Sequence, residues 1–217
     1  MNGNMKTQES LKTKFKPRVD DTAVIVAGMG RCGTTLLHDA LVDYGFKETA
    51  FLNTFGECFI YRYGKVYKIH YYLPPDKFHY NVKLIYMFGN PYDIAISATK
   101  NINDWGKLHH AHLGSDLFVE NKELYYKDTL QLNRHFDMWY RQQGFSFLSI
   151  KYETLYEYKT RQMLNQYLGI VLKLPPYRKR ESSWENHPHR QDIISTYREL
   201  HAKIECAENV KIWEKKV

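Results

Sequence analysis

The chain reads as an α/β domain with a central parallel sheet flanked by helices, and three observations predict it. Short strand-like runs recur along the chain, of which 22–27 is continuously apolar, as a strand covered on both faces is, and 66–73 alternates. Between them lie segments with apolar residues at helical spacing. Glycine and proline mark most of the switches from one kind of segment to the other.

Taken in order, residues 1–21 are polar and lysine-rich, with no apolar centre. They are expected to form a mobile basic tail, and not a secretory signal. Residues 22–217 are expected to form one domain. Residues 22–27, Thr-Ala-Val-Ile-Val-Ala, predict a buried strand bounded by Gly28. The spacing of Leu36, Leu37, Ala40 and Leu41 predicts a helix over 34–44, closed by Gly45. Residues 66–73 predict a strand ended by Pro74 and Pro75, and 82–88 a stronger one broken at Gly89. Pro91 suits the first turn of a helix running to about residue 100. Residues 101–121 are polar and irregular. Leu130, Phe136 and Trp139 predict a long helix over 122–143, with Tyr125, Leu132, Phe136 and Trp139 as core. A strand over 145–152, a helix over 156–168 ended by Gly169, a proline-containing basic loop over 174–188 and a helix over 191–206 complete the reading.

The 217 residues suffice for one full-size domain. Hydrophobic residues are 43% and charged residues 25%, which excludes wholesale disorder. No apolar run reaches the ~18 residues of a membrane span, so no membrane partner is expected. The net charge of +7 suits an anionic ligand. The 18 tyrosines invite comparison with nucleic-acid stacking surfaces, but the basic residues are spread along the chain, which argues against that partner. Cys32, Cys58 and Cys206 are an odd, widely spaced set and fit a reducing, cytoplasmic compartment. His109, His110 and His112 lack a Cys or acidic partner at ligand spacing, so no metal is expected.

The most informative segment is Gly28-Met29-Gly30-Arg31-Cys32-Gly33-Thr34-Thr35. It has the G-x4-G skeleton of a phosphate loop, set between a strand and a helix. Glycines let the backbone wrap an anion, and the N–H groups of the helix start donate to it. A nucleoside triphosphatase carries Lys where this chain has Thr34, so the clamp on a terminal phosphate is missing and triphosphate hydrolysis is disfavoured. Arg31 offers a cation inside the loop.

Arg31-Cys32-Gly33-Thr34-Thr35 resembles the 5′-phosphosulfate loop of the sulfotransferases, which use 3′-phosphoadenosine 5′-phosphosulfate (PAPS). Arg31 falls on that family's basic residue, which contacts the phosphosulfate, Cys32 stands where Ser is usual, and Leu36 stands where cytosolic members carry Trp. Asn90, Pro91, Asp93 and Ser97 match the family's 3′-phosphate segment, but Gly89 replaces its Arg. Tyr152-Glu153-Thr154-Leu155 is similar to the family motif whose Tyr approaches adenine. Arg178-Lys179-Arg180, ahead of Ser183-Trp184, resembles the C-terminal loop that closes on the 3′-phosphate, and Arg178 or Arg180 is expected to cover for Gly89. The matches span 22–187 in family order. They imply a three-layer, P-loop NTPase-like fold, PAPS as donor, 3′-phosphoadenosine 5′-phosphate (PAP) as product, no metal, and a small-molecule or carbohydrate acceptor. The implied donor contacts are Arg31, Cys32, Gly33, Thr34, Thr35, Ser97, Tyr152, Arg178, Lys179 and Arg180.

Lys68-Ile69-His70 before Pro74-Pro75 resembles the family's Lys-Thr-His-Leu-Pro segment. There the Lys binds the transferring sulfate and the His takes the acceptor proton. An imidazole is largely neutral at physiological pH and can act as a base. Glu57 is the rival base, because carbohydrate and tyrosyl members use a Glu shortly after the loop. Two other functions stay open at this point. One is a nucleotide or nucleoside kinase of the same fold; the other is a non-catalytic phosphonucleotide- or nucleic-acid-binding protein.

Overall fold

The computed structural model describes residues 21–49, 62–70, 81–100, 121–140, 144–178 and 184–215. Six strands, β1 (Ala23–Gly28), β2 (Lys47–Glu48), β3 (Lys65–Ile69), β4 (Val82–Phe88), β5 (Phe147–Lys151) and β6 (Val210–Trp213), form one sheet in the order β2-β3-β1-β4-β5-β6. The pairs from β2 to β5 are parallel, and β6 runs antiparallel to β5. β1 lies at the centre, with Val26 beside Lys68 of β3 and Gly28 beside Met87 of β4. Every residue of β1 is buried, which is why its sequence is apolar without alternation.

The helices are α1 (Thr34–Tyr44), α2 (Pro91–Lys100), α3 (Leu132–Tyr140), α4 (Tyr158–Leu168) and α5 (Arg190–Glu205). Glycine ends two of them. Gly45 (φ 125°) follows α1, and Gly169 (φ 71°) follows α4 and bonds back to the Asn165 carbonyl. Asn90 caps α2, its Oδ1 accepting the Tyr92 N–H at 2.9 Å.

The chain leaves β1 toward β2 and β3, but leaves β4 in the opposite direction toward β5. Right-handed crossovers then put α1 and α2 on opposite faces. α1 packs on β1 and β3, while α2 packs against α5 and a 3-10 turn at Asn121–Tyr125. The direction reverses between neighbours β1 and β4. In open α/β sheets the crevice beyond the strand ends at such a point is where ligands bind.

The expected α/β architecture is present, with one change: the sheet is mostly parallel, not wholly so. β6 is only four residues long and follows a polar stretch, so its sequence signal is slight. Of the helix expected over 122–143, residues 141–143 lie outside the described residues, and the rest is two elements, the 3-10 turn and α3. The Asp128 carboxylate accepts the N–H groups of Leu132 and Asn133 at 2.8 and 3.0 Å, which starts α3 afresh, and Gln131 ahead of it has φ 48°. Apolar periodicity continued across this break because Leu130, Leu132, Phe136 and Trp139 all face the core. The expected tail lies outside the described residues except for Asp21.

Candidate active site

The loop after β1 is a backbone device. Gly30, Arg31 and Gly33 all have positive φ (75°, 51° and 81°). A Cβ at Gly28 would stand 2.6 Å from Thr34 Cγ2 and 2.7 Å from the Met87 carbonyl oxygen. One at Gly33 would stand 2.3 Å from the Tyr152 ring. Only glycine fits either place. β4 holds the loop down, because the Met87 carbonyl accepts both the Met29 N–H (3.3 Å) and the Cys32 thiol (3.1 Å). Gly33 leads into α1, with no side chain capping the helix and no acidic residue in its first turn. Its leading N–H groups have no intrahelical acceptor, as at the start of any helix, and an anion is one group that can accept from them.

The Thr34 and Cys32 side chains turn inward; Thr34 is 2% exposed and Cys32 fully buried. What these two positions offer a ligand is therefore backbone N–H. Thr35 faces outward, and Lys68 of β3 donates from Nζ to its Oγ1 at 3.1 Å. A cation thus stands beside the loop although position 34 carries none. Burial pushes the Lys68 ammonium below its ordinary pKa, against the upward pull of Asp39 and Glu48.

His70, just past β3, is buried. Its Nδ1 lies 2.8 Å from the Gly28 carbonyl oxygen. A carbonyl only accepts, so Nδ1 carries the proton and, in the neutral ring, Nε2 carries the lone pair. That tautomer serves a general base, and it equally serves a histidine that only supports the loop.

On the other flank, Arg31 donates from Nε to Ser97 Oγ of α2 at 2.8 Å. Gly89 is buried, and its backbone has no positive φ. A Cβ there would stand 3.0 Å from Glu153 Oε1, which accepts the Asn90 N–H at 2.9 Å. Tyr152, on the 3-10 turn Tyr152–Thr154 after β5, lies against Gly33. The structure therefore gathers Arg31, Gly33, Thr35, Lys68, His70, Ser97 and Tyr152 around one loop. Arg178 is exposed, one residue past Tyr177, whose ring meets Tyr156 at 5.3 Å. Lys179, Arg180, Glu57 and the three histidines at 109, 110 and 112 lie outside the described residues.

Two features escaped the sequence. Glu153 was visible only as part of a motif, and its carboxylate fixes Asn90. The Arg31–Ser97 bond joins residues 66 apart, and no local pattern announces such a contact. Among the described residues no group of three His, Cys, Asp or Glu is placed to hold a metal ion. Nor is any helix among them long and apolar enough to cross a membrane.

No family model matches the chain, and no curated protein matches it. Among solved structures it is similar to the mouse sulfotransferase SULT7A1 complexed with PAP. The identity is 16% over 84% of this chain and 69% of that one, with a TM-score of 0.44.

Proposed function

We propose that the chain is a PAPS-dependent sulfotransferase. The observation that supports this reading is the convergence on one loop of Lys68 through Thr35 and Arg31 through Ser97, from motifs that resemble the family's. In this reading the loop N–H groups and Lys68 hold the 5′-phosphosulfate, Ser97 meets the 3′-phosphate, and Tyr152 lies near adenine. Arg178, Lys179 and Arg180 close over the donor. The acceptor is a small molecule or a carbohydrate, and the compartment is cytoplasmic.

In the reaction, the oxygen of an acceptor hydroxyl, or the nitrogen of an acceptor amine, forms a bond to sulfur while the bond from sulfur to the 5′-phosphate oxygen breaks. The acceptor proton passes to a base, and PAP leaves with the bonding electron pair. Lys68 offsets charge on the transferring sulfate and the leaving oxygen. His70 is the proposed base, with Nε2 as the accepting atom; Glu57 is its rival.

Calorimetry with PAP, ADP and ATP tests the donor. PAP is expected to bind more tightly than ADP, and ATP not to be turned over. Equal affinity for PAP and ADP would remove the reading, and ATP turnover would replace it with a kinase. Once phenols, sugars and amines have been screened for an acceptor, His70→Ala is expected to lower kcat about 10²–10⁴-fold with PAP binding nearly unchanged. Loss of turnover in Glu57→Gln, with His70→Ala near wild type, would move the base to Glu57.

A further inference from the structure

From the pairing of Arg31 with Ser97 we infer that Arg31 is the 3′-phosphate ligand that sets donor selectivity, standing in for the guanidinium that Gly89 cannot supply. The inference rests on the sulfotransferase reading and assigns within it a role that motif position alone would give to a different phosphate.

Two cation-bearing clusters flank the loop, and the sheet order separates them. Lys68 reaches Thr35 from β3, on one side of β1. Arg31 reaches Ser97 on α2, which follows β4 on the other side of β1. The start of α1 sits between them and provides the backbone cradle. Lys68 therefore serves an anion at that cradle, and Arg31 serves one beside Ser97.

The backbone agrees with this division. Arg31 is held in a left-handed conformation (φ 51°) between Gly30 and Gly33, and from there its guanidinium reaches α2. Position 89 offers no alternative. It has no side chain, and the space a Cβ would enter is bordered by the Glu153 carboxylate, 3.0 Å away and already accepting the Asn90 N–H. A cation for the Ser97 flank must come from elsewhere: Arg178, one of the two expected to supply it, is exposed beside Tyr177 and Arg180 lies outside the described residues, whereas Arg31 is in hydrogen-bond contact with Ser97.

The arrangement selects a ligand by the spacing of its charges. A nucleoside 3′,5′-bisphosphate carries two separate anionic groups, one for each cluster. A nucleoside diphosphate carries its charge in a single chain at the 5′ position and leaves the Arg31–Ser97 side unfilled. A planar guanidinium also binds a phosphate through two parallel N–H bonds, which a point-charge ammonium cannot do.

The test is calorimetry on the full chain with PAP and adenosine 5′-phosphate. The wild type is expected to bind PAP at least about tenfold more tightly. Arg31→Gln should lower PAP affinity about 10- to 100-fold, as for loss of a charge-assisted hydrogen bond, with adenosine 5′-phosphate affected by less than about threefold. Ser97→Ala should shift the ratio the same way by a smaller factor. Lys68→Met should weaken both ligands alike. Arg31→Gly, which the positive φ favours, guards against a misfolded loop and should repeat the Gln result. If Arg31→Gln and Arg31→Gly weaken both ligands equally, Arg31 serves the 5′ group and the inference is overturned. If they leave both affinities at their wild-type values, it is overturned while the donor reading stands. A wild type that does not distinguish PAP from adenosine 5′-phosphate overturns the donor reading itself.

Discussion

Along β4, Tyr86 and Phe88 meet α3, while Met87 between them faces the loop. On the α3 side the tolerances are those of volume. Tyr86 stacks on Trp139 with ring centroids 5.3 Å apart and planes 2° from parallel, and Phe88 meets Phe136 edge-on at 5.4 Å. On the loop side the tolerances are those of backbone: one carbonyl of Met87 takes two donors, and Gly28 and Gly33 have no room for a methyl group. The aromatic side is held by buried area, which falls gradually as atoms are removed. The loop is held by permitted φ and close approach, where a single added carbon is enough to disturb it. Stability and ligand binding should therefore be separable by mutation, one on each side of the same strand.

The largest expected effect on stability is at Trp139, which is fully buried. Trp139→Ala should cost about 3–5 kcal/mol in denaturant unfolding. The fraction that remains folded should keep its PAP affinity; a parallel loss of affinity would show that the two sides are not independent. Gly33→Ala tests the other side. Its φ of 81° and the overlap with the Tyr152 ring should cost about 1–3 kcal/mol and lower PAP affinity by tenfold or more. Adding Tyr152→Ala removes the overlap but not the φ strain, so it should restore stability only in part. Wild-type affinity in Gly33→Ala would place the ligand elsewhere.

Lys68 sharpens the comparison through pH. Burial lowers its pKa in the unliganded protein, and a bound anion beside it would raise that pKa again. Affinity is then full while Lys68 of the unliganded protein is protonated, and falls as the pH rises through its lowered pKa toward the ordinary lysine range. Titrations from neutral to alkaline pH should show this decline in the wild type. Lys68→Arg should show much less of it, because a guanidinium stays charged. An equal decline in both proteins would assign the effect to another group. The smallest effect is expected at Gly89. Its φ does not require glycine, and the atom a Cβ meets first is the end of an exposed Glu153 side chain. Gly89→Ala should change the melting temperature by only a few degrees, with the loss traceable to the Asn90 N–H bond. A collapse of stability would show that Glu153 cannot move.

Much of the fold was legible because the signals were local. The helix expected over 34–44 is Thr34–Tyr44, and its closing residue is Gly45. The run that marked β1 and the Gly89-Asn90-Pro91 break before α2 also held. The long helix expected over 122–143 failed for a physical reason. Periodicity records which residues face the core, and it cannot tell one helix from two short elements joined by a turn that keeps the same face inward. At the site, the loop and the Lys68–His70 pair were readable as types of residue in a pattern. That Cys32 and Thr34 face inward was not, since their direction is set by β4 and by the packing of α1.

By itself the sequence determined where the chain can turn and where a helix can begin. Those outcomes depend on backbone freedom, as at Gly33 and Gly45, or on a near neighbour, as at Asn90. The tertiary structure decided which cation serves which flank of the loop. Lys68 meets Thr35 across 33 residues, and Arg31 meets Ser97 across 66. Such contacts exist only after the order β3-β1-β4 has put their strands and helices side by side, because a hydrogen bond between side chains acts over about 3 Å and carries no trace along the chain between them.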